Sequence, residues 1–113
     1  MADFLRARLR ADLLTALKAR DRARSSTLRL VADALQNEEI ALQKTSLTDE
    51  EVLRVLEREA KSRREAADAY ERGERPELAE AERRELALLA AYLPTPLTDM
   101  ELERVVREVV VAV

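Results

Sequence analysis

Side chains able to do acid–base or phosphate chemistry are plentiful in this chain, but they come from a narrow set. Carboxylates cluster as Glu38-Glu39, Glu50-Glu51 and Glu57 with Glu59. Paired carboxylates can divide general-acid and general-base roles or hold two metal ions. Helical di-metal sites complete such glutamates with Glu-x-x-His motifs, and this sequence has no His. Adjacent glutamates on a helix also point about 100° apart, which suits solvation better than a shared proton. No catalytic residue is assigned. Without Cys, thiolate nucleophiles, disulfides and Cys/His zinc sites are excluded, and without His so is imidazole catalysis. A single Gly leaves no glycine-rich phosphate loop. Ser25-Ser26-Thr27 resemble a nucleophile or a phosphorylation site, yet they fall in the first turn of a helix, where hydroxyls can satisfy free N–H groups. Neither a cofactor nor a metal is expected.

Cations offer a more specific pattern. Arg54, Arg58, Lys61 and Arg64 are spaced i, i+4, i+7, i+10 along one helix face, with Arg63 adjacent. Such a row can meet phosphates as point charges and planar forks. The same row also suits i,i+4 pairing of Glu50 with Arg54 and Glu57 with Lys61. Net charge is −3, but residues 1–30 hold eight Lys/Arg against three acids, a balance of +5 that leaves −8 for the rest. This split points to an anionic partner near the first two helices and adds Arg22 and Arg24 to the candidate nucleic-acid contacts. Phe4, Tyr70 and Tyr92 are expected in or beside the core, so little is left for base stacking. RNA would be read by shape and backbone.

The elements that must carry these residues are helices. Charged residues make up 38% of the 113, aromatics 3%, and Gly and Pro are too few for a sheet with many turns. A first helix is predicted from Asp3, its cap, to Ala19, with Leu5, Leu9, Leu13, Ala16 and Leu17 inward. Asp21 caps a second helix over about Arg22–Gln43, with a stripe of Leu28, Val31, Leu35 and Leu42 supported by Ala32, Ala34 and Ile40. The third opens on a capping box, Thr48 with Glu51, and a staple of Leu47 against Val52. It runs to Arg72, burying Val52, Leu53, Leu56, Ala60, Ala67 and Tyr70, and Gly73 suits a left-handed stop. Pro76 sits in the first turn of a fourth helix ending near Tyr92, and Leu78, Ala79, Leu86, Leu89, Ala90 and Leu93 face its core.

Pro94 and Pro96 close that element. Thr98 with Glu101, and Leu97 with Leu102, then repeat the helix-opening device. Leu102, Val105, Val106, Val109, Val110 and Val113 form a full apolar face. It needs cover from the bundle, from another chain, or from further sequence, and Leu102–Val113 is one candidate surface for a homo-oligomer. No apolar run approaches the ~18 residues of a membrane span, and "MADFLRARLRADLL" is broken by charge too often for a secretory signal. A cytoplasmic setting fits the absence of Cys.

"TLRLVADALQNEEI" (27–40), the stretch from "LTDEEV" to "AAYLP" (47–94) and "PLTDMELERVV" (96–106) resemble the YqeY family. The most specific parts are the run over 63–79 and the "YLP…LT…EL" junction within 89–102. That family is related to the C-terminal tail of the GatB subunit of tRNA-dependent amidotransferase. The resemblance implies an all-α, multi-helical array of about four helices over 1–94, followed at 97–113 by the first helix of a tail subdomain that continues beyond it. In the amidotransferase the related tail helps hold the tRNA body, and the amide-transfer chemistry lies elsewhere. It therefore implies tRNA as a partner, and amidotransferase- or synthetase-type proteins as further ones. The family label of carbon–nitrogen ligation with glutamine as nitrogen donor would attach by homology, without a catalytic site in this chain.

Overall fold

The computed structural model describes residues 4–94, and these form four α-helices: α1 (Phe4–Lys18), α2 (Arg22–Ala41), α3 (Asp49–Arg72) and α4 (Pro76–Ala90). No strand occurs among the described residues, so the all-α expectation holds. The chain forms two compact units, Met1–Arg58 and Glu59–Val113, and α3 contributes to each in turn. The expected boundary at 94–97 runs past the last described residue, and the Asp3 cap, the second capping signal and the valine-rich face over 102–113 lie outside the described residues.

In the first unit α1 packs on α2. Leu9 and Ala16 of α1, Leu28, Val31 and Leu35 of α2, and Val52, Val55 and Leu56 of α3 are buried. Helix starts follow local chemistry. The Asp21 carboxylate accepts the Arg24 N–H at 3.1 Å. Thr48 N–H donates to Glu51 Oε1 at 2.9 Å, and Glu51 N–H to Thr48 Oγ1 at 3.2 Å, which is the reciprocal capping box. Leu47 and Val52 are both fully buried, as a staple requires. The start of α1 is held from a distance: the Leu5 N–H donates to Asp49 Oδ1 at 2.8 Å, joining the first turns of α1 and α3.

Four residues expected inside are not. Phe4 is 73% exposed and Ile40 68%, and Leu17 and Leu42 also face solvent. The wheel explains them: Phe4 and Ile40 stand about 140° from Leu9 and Leu35, and Leu17 about 80° from Leu9. Leu42 lies past the end of α2, at its C-cap. Val55, absent from the expected stripe of α3, is buried, and Leu53 and Tyr70 are half-buried.

In the second unit Ala60 and Leu86 pack together, with Ala90 and Leu93 against them. Ala67, Ala79, Leu89 and Tyr92 are buried as well. Pro76 occupies the first turn of α4.

The left-handed residue that ends α3 is Glu74 (φ 58°), not Gly73, whose φ is outside that region. The Arg75 N–H reaches Tyr70 O at 2.8 Å and the Glu74 N–H reaches Glu71 O at 3.1 Å, closing the last turn one residue later than the glycine suggested. Arg20 (φ 56°) and Gln43 (φ 55°) end α1 and α2 in the same way. All three helix stops therefore use a residue with a Cβ where glycine would be less strained.

Candidate nucleic-acid interface

The cations of α3 divide by what they touch. Arg54 and Arg58 lie in the first unit; Lys61, Arg63 and Arg64 lie in the second. Arg54 is exposed and its guanidinium stands 3.3 Å from Glu50, the i,i+4 partner expected. Arg58, also exposed, reaches across to Glu38 of α2 at 3.2 Å. Lys61 leans toward Glu65 at 4.0 Å and not toward Glu57. Arg64 is half-buried and is not a free cation.

Arg63 stands apart from this row. It is only 8% exposed. Its Nη1 donates to Glu59 Oε1 at 3.0 Å and to the Glu59 carbonyl at 3.1 Å. Its Nε lies 3.4 Å from Glu85 Oε2, close enough for attraction but not aligned as a hydrogen bond, so that buried N–H lacks an acceptor. Arg63 thus ties α3 to α4 from inside, beside the Arg83–Glu71 ion pair that joins the same two helices. A signal for this was present: positions 60, 63 and 67 share one face, and the alanines at 60 and 67 leave room between them for a long side chain.

On α2, Arg22 is exposed and Arg24 half-buried, and neither side chain has an ion pair among the described residues. Ser25 Oγ donates to the Arg22 carbonyl at 3.2 Å, so it satisfies an acceptor and not the free N–H groups expected. Thr27 is buried and Ser26 exposed.

The carboxylate clusters are pulled apart by the helix geometry that argued against them. Glu39 turns to Arg6 of α1 at 2.7 Å while its neighbour Glu38 turns to Arg58. The Arg6 residue is buried, which the sequence pattern did not suggest, and its Nε has no hydrogen-bond partner. Glu51 accepts from Lys44 Nζ at 2.6 Å; that bond first, and then the Thr48 N–H, hold its carboxyl below the usual carboxylate range. Arg75 does the same for Glu77. Glu82 moves the other way: partial burial and then the neighbouring Glu85 push its carboxyl up, against the pull of Arg63. Among the described residues no group of His, Cys, Asp and Glu is placed to hold a metal ion. No helix among them is long and apolar enough to cross a membrane.

Two comparisons with known proteins bear on the family of this chain. An uncharacterised protein of Schizosaccharomyces pombe (strain 972) is 33% identical over 90 residues, which covers 80% of this chain and 72% of that protein. The family model described as Yqey-like protein matches residues 6–113, nearly the whole sequence, and the chain belongs to that family.

Proposed function

We propose that this chain is a cytoplasmic, non-catalytic helical module that binds tRNA or supports tRNA-dependent amidation, in the manner of the tRNA-holding tail to which its family is related. The observation that carries the reading is the family match over residues 6–113 on a chain whose first thirty residues are strongly cationic. An acidic protein that concentrates positive charge at one end presents phosphate with a local attraction that its net charge conceals. Catalysis of amide transfer belongs, on this reading, to other polypeptides, and amidotransferase- or synthetase-type proteins are the natural company of such a module. The family-level label of glutamine-dependent carbon–nitrogen ligation then describes the pathway chemistry the module serves.

The test is a gel mobility shift of the full chain with unfractionated tRNA at low salt. A discrete complex that weakens as salt rises supports the reading, and no complex refutes it. A second reading rests on the sequence of Leu102–Val113, whose spacing of six aliphatic residues is that of the apolar face of an amphipathic helix. That face would serve self-association or a protein partner. Light scattering distinguishes it: a monomer at all concentrations, with no partner captured through this face, removes it.

A further inference from the structure

We propose that the surface meeting RNA phosphates is the corner between α1 and α2, built from Lys18, Arg20, Arg22 and Arg29, and not the cation row of α3; this rests on the tRNA reading above. All four corner side chains are exposed, and none has an ion pair among the described residues. The exposed cations Arg54, Arg58 and Lys61 of α3, by contrast, each have a carboxylate within 3.2–4.0 Å. A phosphate arriving at α3 must displace an existing anion, so the exchange gains little. At the corner it displaces only diffuse counterions, whose release drives association with nucleic acid.

The corner is a defined turn. Three residues separate Lys18 at the end of α1 from Arg22 at the start of α2, so both belong to one end of the helix pair. The Asp21 N–H reaches Ala16 O at 3.0 Å and the Arg20 N–H reaches Leu17 O at 3.1 Å, which fixes the path of the chain through Arg20. Asp21 is the one acid between Asp12 and Asp33. Its carboxylate is committed to the Arg24 N–H, where it caps α2. Arg22 and Arg29 are two turns apart on one face, about 10 Å along the axis, and that face is opposite Val31 and Leu35, both fully buried. The cations therefore stand outward on a rigid helix, at spacings suited to separate phosphates on a backbone. No aromatic residue lies between Lys18 and Arg29, so the surface reads charge and shape and should not discriminate strongly among tRNA species.

The experiment uses the full chain and unfractionated tRNA in filter binding from 50 to 200 mM salt. The corner variant K18Q/R22Q/R29Q is compared with the α3 variant R54Q/K61Q. All these positions are exposed, and unchanged far-ultraviolet circular dichroism and melting confirm folding. The corner variant should lose roughly tenfold or more in affinity at 50 mM, and its log–log salt slope should flatten by about one for each phosphate contact removed. The α3 variant should show the smaller change in both. Loss of binding in the α3 variant with the corner variant intact would overturn the assignment while leaving the tRNA reading standing. Failure of the unaltered chain to bind tRNA would sink both. Anionic vesicles of phosphatidylserine and phosphatidylcholine are the second probe, and tighter corner-dependent binding to them than to tRNA would overturn the choice of RNA.

Discussion

Replacing Glu74 with Gly should stabilise the chain, and replacing Gly73 with Ala should stabilise it too. The perturbation reverses the two residues at the end of α3, where ordinary practice would keep the only glycine untouched. Glu74 sits at φ 58°, and Gly73 does not adopt a positive φ. Holding a residue with a Cβ in the left-handed region costs about 1–2 kcal/mol. Glycine removes that cost but gives back about 0.4–1 kcal/mol through a more disordered unfolded state, for a net gain near 0.5–1 kcal/mol. At Gly73 an added Cβ would meet Ala69 O at 3.4 Å and Tyr70 O at 3.8 Å, which is ordinary contact. Alanine there should gain about 0.4–1 kcal/mol by restricting the unfolded chain. Thermal melting followed by circular dichroism reads both variants, and each should raise the midpoint by roughly 2–6 °C. If Gly73→Ala lowered the midpoint by several degrees while Glu74→Gly left it unchanged, the left-handed residue would be Gly73 and the helix end described above would be wrong by one position.

Two further outcomes follow from buried charge. Glu39→Leu leaves Arg6 buried without its anion and should cost about 3 kcal/mol in urea denaturation, whereas the double variant Arg6→Leu/Glu39→Leu should recover most of that loss; equal losses in single and double variants would contradict the pairing. Glu82 is held above its usual pKa in the folded chain, chiefly by burial and Glu85. Its favourable contribution is present below the unfolded value and is lost as pH rises through the folded one, so Glu82→Gln should stabilise the protein at neutral pH and have little effect in acid. A stabilisation that did not depend on pH would refute that cause.

Much of the helical frame was legible because its signals are local. Asp21 and the Thr48–Glu51 pair lie within three residues of the groups they cap, and Pro76 marks the first turn of α4 by its own geometry. Stripes such as Leu28, Val31 and Leu35 follow from periodicity alone. What escaped is carried by contacts between residues far apart in sequence: Asp49 receiving the Leu5 N–H, and Glu39 receiving Arg6. A pattern of residue types does not say which arginine turns inward, since the stem of an arginine packs as an aliphatic chain wherever its head finds a partner. Arg6 has no such mark in the sequence, whereas Arg63 carries a faint one in the alanines at 60 and 67 that share its face. Gly73 misled for a related reason: the favoured residue was present, and the chain placed it one position before the strained one. The candidate interface divides the same way. The α3 row was visible as a spacing, but its pairing with Glu38 and Glu65 was not.

The proposed function requires that the charge of this chain meet RNA phosphate. The most direct measurement is the affinity of the full chain for tRNA as a function of salt. Four phosphate contacts at the α1–α2 corner would give a slope of log K against log salt near −3 to −4, equivalent to roughly a hundredfold loss between 50 and 200 mM. No complex at 50 mM, or a complex indifferent to salt, would contradict it.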